Sequence, residues 1–171
     1  MEATLGGATR AQSVLAALRA AKESGIATAT LAVVHDAARP ALAREVLARL
    51  LDVAERSPES GALLAVPVRD TVKQAETSAA QGSLSVSEQT LEREKLWLAQ
   101  TPQVFQLGQL IQALEAGLAA NSPLTDESSA LERCGQRPLL VVGSRQAMKV
   151  TDPEDLALVE YYLKQLNRSS L

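Results

Sequence analysis

The decapeptide LAVVHDAARP, residues 31–40, constrains the fold of this chain more than any other segment. Leu31 to Val34 is short, β-branched and uniformly apolar, the pattern of a buried strand in a parallel sheet rather than of an alternating surface strand. Directly after it come His35, Asp36 and Arg39, then Pro40. In open α/β sheets ligands bind in the crevice beyond the carboxyl ends of the strands, so this carboxylate and guanidinium stand where chemistry is expected.

The segments on either side continue the pattern. Val14, Leu15, Leu18 and Ala21 share a helical spacing over Arg10 to Ser24, with Gly25 as the residue that stops it. Pro40 opens a second amphipathic helix through Leu47, Leu50, Leu51 and Val53, and Leu63 to Val68 is the next apolar strand. Helix and strand in alternation predict a mostly parallel sheet with crossover helices. From Arg69 to Gln100 the chain changes character. Short alternating stretches, Thr71 to Ala75 and Leu84 to Leu91, flank the polar linker TSAAQGS, which suits a hairpin turn, so residues 69–100 are expected to form a projecting β-arm. Leu96 to Gln100 returns to the sheet, and Leu107 to Ala120 is an amphipathic helix. Thr125 caps a short helix through Cys134, Leu139 to Val142 is a further strand, and TDPEDLALVEYYL starts a last helix with Thr151 or Asp152 as N-cap.

At 171 residues this is one domain with room for a core that needs no staples. The single Cys134 has no partner in the chain and reads as a small packing residue, which makes a reducing cytoplasm the expected setting. Seventeen basic against 20 acidic side chains, a formal charge of −3, speak against nucleic acid as a partner, and aromatics at 2% leave few stacking platforms for bases. No apolar run approaches the roughly 20 residues of a bilayer span, and no signal or transit sequence is recognisable, so no membrane partner is expected.

Asp36 can serve Mg²⁺ and Arg39 can grip a phosphate in two-point fashion, yet the same pair can be a salt bridge at a strand-to-helix turn; both readings stand on the residues alone. His35, the one histidine, alternates away from Asp36 and reads as structural. Gly6-Gly7, followed by Thr9 and a helix, can bring backbone N–H groups to an anion or can be an ordinary loop. Lys149 stands just before a helix start, where the dipole offers a cation nothing and a phosphate would be welcome. Arg93, in LEREKLW, reads by itself as part of a solvated face. Neither G-x-G-x-x-G nor a Walker loop occurs.

Six segments in fixed order, GGATRAQSVLAAL, VVHDAARP, AVPVRDTVKQA, LEREKLWLAQTPQVF, LTDESSALE and MKVTDPEDLALVEYYL, resemble the 2-C-methyl-D-erythritol 4-phosphate cytidylyltransferase family of non-mevalonate isoprenoid precursor synthesis. They run from residue 6 to about residue 163. The resemblance implies a GT-A-like nucleotidyltransferase that joins CTP to methylerythritol phosphate, releases pyrophosphate and uses Mg²⁺. It places Gly7 and Ser13 against the cytidine, Asp36 on metal and substrate, and Arg39, Thr71 and Thr125 on the sugar phosphate. It makes Lys149 and Arg93 catalytic cations, with Arg93 carried by the arm into the partner subunit of a homodimer, in the cytoplasm or, in a plant or alga, the plastid stroma.

Similar enzymes begin with a strand and a P-A-A-G-x-G-x-R-type loop followed by a lysine; the chain as written carries neither, and Ala8 stands where an acidic residue is common beside the ribose. The expectation is therefore an amino-terminally truncated member with its first strands missing, an unpaired edge at the strand ending at Asp36, and impaired turnover. Two other roles fit the same segments: a non-catalytic dimer partner of a complete homologue, and a cytidylyltransferase for another polyol phosphate such as ribitol phosphate.

Overall fold

The computed structural model describes residues 3–76 and 84–169. The linker TSAAQGS, residues 77–83, expected to form a hairpin turn, lies outside the described residues. Thr9 opens helix α1 (Arg10–Glu23): its hydroxyl accepts the Gln12 N–H and its own N–H donates to Gln12 Oε1, a reciprocal capping box. Gly25 ends the helix with φ +94°, as the sequence predicts.

Strand β1 (Leu31–Val34) follows, then α2 (Arg44–Arg56), β2 (Ala62–Pro67), β3 (Lys73–Ala75) and β4 (Ser87–Thr90). A ten-residue β5 (Trp97–Gln106) leads into α3 (Leu107–Ala119), α4 (Glu127–Arg133), β6 (Leu139–Val142) and α5 (Asp155–Ser169). The main sheet has the order β1-β5-β2-β6. Strands β1, β2 and β6 run one way; β5 runs against its neighbours β1 and β2.

The long β5 corrects the expected neighbourhood of β1. Pro67 pairs with Trp97, and Val68 N–H donates to Leu96 O at 3.0 Å, so the arm leaves from the end of β2 and returns beside it, which obliges β5 to run backwards. It enters between β2 and β1. Strand β1 is therefore co-directional with β2 yet bonded only to β5, antiparallel, at the edge of the described sheet, and Val33 is 47% exposed rather than buried. That edge is the one the sequence expectation anticipated. The second helix also starts later than Pro40. Residues 38–39 are tied to the segment before α5, through Val150 N–H to Ala38 O at 2.8 Å and Arg39 Nη1 to Ala147 O at 2.9 Å, which holds the chain extended up to Ala43.

Period-two alternation along β5 feeds two cores. Phe105 joins Leu15, Leu18, Leu110, Leu114 and Leu131 beneath α1, α3 and α4, while Val104 joins Val46, Leu50, Leu64 and Val141 beneath α2. The result is a sheet with helices on both faces. Strands β3 and β4 form a separate two-stranded antiparallel arm whose residues are all exposed.

Gly61 makes the approach of β2 to β5 possible. Its φ is +63°, and a Cβ there would overlap the Phe105 ring and lie 2.6 Å from Val104 O. Gly61→Ala is expected to cost about 2–5 kcal/mol, the sum of a left-handed alanine and an overpacked core. Urea unfolding checks this; a loss under about 0.5 kcal/mol would contradict the close approach.

Candidate functional site

The carboxyl end of β1 opens onto a cleft of about 250 Å³ lined by Asp36, Arg39, Thr125 and Lys149, from three distant stretches, together with Arg10, Thr101, Gln103 and Asp126. Asp36 is fixed first by its backbone, whose N–H donates to Thr101 Oγ1 at 3.0 Å. The same hydroxyl lies 3.0 Å from His35 Nδ1, and His35 Nε2 lies 3.1 Å from the Arg39 carbonyl. A carbonyl only accepts, so Nε2 carries the ring hydrogen and Nδ1 takes the Thr101 hydroxyl proton. His35 thus braces the loop that holds Asp36 and Arg39, in keeping with its structural reading.

The side chain of Asp36 meets three cations. Arg10 donates from Nε at 3.1 Å to Oδ1, with Nη2 at 3.0 Å; Lys149 Nζ lies 3.6 Å and Arg39 Nε 3.9 Å from Oδ2. Burial works against the Asp36 charge, but the Arg10 hydrogen bond and charge, then Lys149 and Arg39, outweigh it and hold the carboxyl below the usual range. Burial lowers Arg39, with Asp36 opposing and Arg10 adding to the effect. Burial also works against the charge of Arg10, yet Glu127 and Asp36 bind it strongly enough to raise it. Arg39 Nε is buried and has no hydrogen-bond partner. An unpaired buried donor of this kind is costly unless an anion fills the cleft beside it.

Both alternatives for Asp36 and Arg39 are therefore present in part: they form a long ion pair, and the pair leaves the Arg39 Nε donor and Asp36 Oδ2 without a hydrogen bond among the described residues. Among the described residues no three His, Cys, Asp or Glu side chains gather as a metal site. Asp36 has three cations around it, and Asp126, the other carboxylate of the lining, is taken up by Gln103, Ser128 and Ser129, so this donor set does not fit a resident Mg²⁺.

The remaining expected residues sit at the margins. Thr125 is at the cleft rim, its N–H donating to Ser129 Oγ at 3.2 Å. The N-cap of α4 is Asp126 rather than Thr125, because Asp126 Oδ1 takes the Ser129 N–H at 2.9 Å. Gly7, in the exposed segment before α1, donates its N–H to Oγ of Ser13, in the first turn of α1, at 3.0 Å; neither residue lines the cleft. A second lobe of about 350 Å³ continues from Arg39 and Lys149 past Arg69, Asp70 and Arg145. Thr71 follows Asp70 directly and is exposed. Arg93 is half-exposed at the base of the arm, its Nη1 donating to Arg69 O at 2.8 Å.

Sequence reasoning missed Arg10 and Glu127. Arg10 is the first residue of α1, where a cation opposes the helix dipole, the signal that drew attention to Lys149. Glu127 reads as an ordinary first-turn acid, yet it is wholly buried and takes both Arg10 Nη1 at 2.6 Å and Nη2 at 3.0 Å. A larger depression of about 490 Å³ lies over Leu15, Ala16 and Leu118, but its charges, Arg19 and Glu115, already pair with each other. The smaller cleft is the better candidate because charged side chains from distant parts of the chain converge there and the buried Arg39 Nε has no partner.

A profile of the 2-C-methyl-D-erythritol 4-phosphate cytidylyltransferase family matches residues 2–165. The cytidylyltransferase of that name from Ectopseudomonas mendocina (strain ymp) is 53% identical over 152 residues, covering 89% of this chain and 62% of that protein. Its counterpart from Serratia proteamaculans (strain 568) is 49% identical over 164 residues, covering 96% and 65%. The chain thus spans 62–65% of the length of these two curated relatives. A crystal structure of 4-diphosphocytidyl-2C-methyl-D-erythritol synthase superposes with a TM-score of 0.80 at 43% identity, over 92% of this chain and 68% of the other. The Francisella tularensis 2-C-methyl-D-erythritol 4-phosphate cytidylyltransferase gives 0.80 at 35% identity, over 92% and 69%.

The cap of α4 carries a pH signature. Burial pushes the Asp126 carboxyl up, but hydrogen bonds from Gln103, Ser129 and Ser128 hold it below the usual range. A depressed native value means that its stabilisation is complete above roughly pH 4, the unfolded value, and is lost as pH falls through the native one. Asp126→Asn is expected to cost about 1 kcal/mol at pH 7 and progressively less in acid. Urea midpoints at several pH values test this; a deficit independent of pH would refute it.

Proposed function

Because the chain belongs to the 2-C-methyl-D-erythritol 4-phosphate cytidylyltransferase family, we propose that its cleft binds the phosphate of a polyol phosphate and presents it to CTP. One observation carries the reading: the buried Arg39 Nε, without an acceptor, beside Lys149 and the open Oδ2 of Asp36. A phosphate placed there satisfies the Arg39 donor and the Lys149 ammonium together, while Asp36 Oδ2 accepts a polyol hydroxyl. Thr125 borders the same space.

In the proposed step a phosphate oxygen of the polyol forms a bond to the α-phosphorus of CTP. The bond from that phosphorus to the bridging oxygen breaks, and pyrophosphate departs with the electron pair. Two anions must approach, so the work for the protein is charge neutralisation and in-line positioning. Arg39 and Lys149 supply that neutralisation on the polyol side. Gly7, just before α1, and Ser13, in its first turn, are assigned to the nucleotide side; a Cβ on Gly7 would overlap Gln12 Cβ. Mg²⁺ enters this proposal as the counter-ion of the triphosphate rather than as an ion resident on Asp36.

Thr71 and Arg93 are assigned to a neighbouring cleft in a homodimer. An isolated two-stranded hairpin is marginal in water, and every residue of β3 and β4 is exposed, so the arm gains from packing on a second copy. In a two-fold dimer each arm reaches the other subunit's site.

Pyrophosphate release from CTP and 2-C-methyl-D-erythritol 4-phosphate tests the activity, with ribitol phosphate as the competing substrate. Arg39→Lys and Lys149→Ala are expected to raise KM for the polyol phosphate at least about tenfold and to leave KM for CTP unchanged. Faster turnover of ribitol phosphate would reassign the substrate. For the arm, mixing inactive Arg93→Ala and Asp36→Asn subunits is expected to restore about a quarter of the activity, one intact site in each mixed dimer. No recovery on mixing would place Arg93 in its own subunit's site.

A further inference from the structure

Glu127 does not line the cleft, and yet it is a fully buried carboxylate at 0% exposure. A buried charge survives only when it is paired and hydrogen-bonded. Its partner is the Arg10 guanidinium, which gives it two short bonds, 2.6 and 3.0 Å, and turns its remaining edge, Nε at 3.1 Å and Nη2 at 3.0 Å, to Asp36 Oδ1. One rigid, planar fork thus bridges two carboxylates, one hidden and one in the site. Oδ1 of Asp36 is thereby engaged, while Oδ2, with Lys149 Nζ at 3.6 Å, makes no hydrogen bond among the described residues.

The backbone around Glu127 gives it little freedom. Ser128 N–H donates to Gln103 Oε1 at 2.9 Å, and Gln103 Nε2 donates to Asp126 Oδ2 at 2.8 Å, so both neighbours of Glu127 are fastened to the same buried glutamine of β5. Orientation therefore passes from β5 to α4, from Glu127 to Arg10, and from Arg10 to Asp36. We propose that Glu127 is a positioning residue which, through Arg10, keeps the Asp36 carboxylate turned so that Oδ2 meets the polyol. The inference rests on the reading of the cleft as the polyol phosphate site.

Glu127→Gln keeps the size of the side chain but replaces one acceptor by a donor that faces the donors of Arg10. Two readouts on the protein test the proposal. With ¹⁵N-labelled arginine, the Arg10 Nε–H resonance is expected in the wild type and in Glu127→Asp, and is expected to vanish in Glu127→Gln as the guanidinium loses its fixed place. In turnover, Glu127→Gln is expected to raise KM for the polyol phosphate roughly tenfold to a hundredfold, with kcat within about threefold and KM for CTP unchanged. Glu127→Asp is expected to recover part of that loss. Should Glu127→Gln not fold, Arg10→Lys, which keeps the charge without the fork, is read by turnover alone, with the same rise in KM for the polyol phosphate expected and an unchanged KM overturning the proposal. A retained Arg10 resonance, or a lost one with KM unchanged, overturns the proposal. Absence of turnover in the wild type would overturn the functional reading instead, and the resonance would still report on the Glu127–Arg10–Asp36 geometry.

Discussion

The guanidinium of Arg10 joins three parts of the chain that share no strand: the start of α1, the loop after β1 and the first residue of α4. Without it, two carboxylates, Asp36 and Glu127, would face one another across a partly dry space, one of them wholly buried. Such an arrangement is unstable for charged groups and strongly destabilising when one partner of a buried pair is removed. The cleft exists in its observed form because this one cation satisfies both, and because it does so with a planar fork that fixes direction as well as charge.

Around that bridge the site has a division of labour. Backbone and neutral side chains hold positions: Thr101 takes the Asp36 N–H, His35 spans the loop to the Arg39 carbonyl, and Gln103 fastens the N-terminus of α4. Charges face inward and are left incompletely paired. Arg39 Nε has no acceptor, and Lys149 stands just beyond hydrogen-bond distance from Asp36. A surface salt bridge gains little from such imprecision, whereas an anion site needs cations that are held near one another but not already neutralised.

Several features were legible in the sequence because they depend on local physics. The apolar run at residues 31–34, the Gly25 stop, the amphipathic α1 and α3, and the acidic start of α5 follow from periodicity, caps and the helix dipole. Asp36, Arg39, Thr125 and Lys149 line one cleft, a convergence that local spacing does not encode. Less legible was β5. TPQVF contains a proline and polar residues that weaken a strand reading, yet residues 101–105 are buried between two neighbours, and pairing with β1 and β2 overrides local preference.

The sequence by itself determined the α/β class, the order of elements and the residue types available for anion chemistry, because hydrophobic spacing and turn residues act within a few positions of one another. It also determined the family. Only the tertiary structure decided that β5 runs against its neighbours between β1 and β2, that Arg10 and not Arg39 is the tight partner of Asp36, and that Glu127 lies buried behind them. Those outcomes turn on contacts between residues such as Arg10 and Glu127, 117 positions apart, and no local propensity encodes the direction in which a guanidinium is shared between two distant carboxylates.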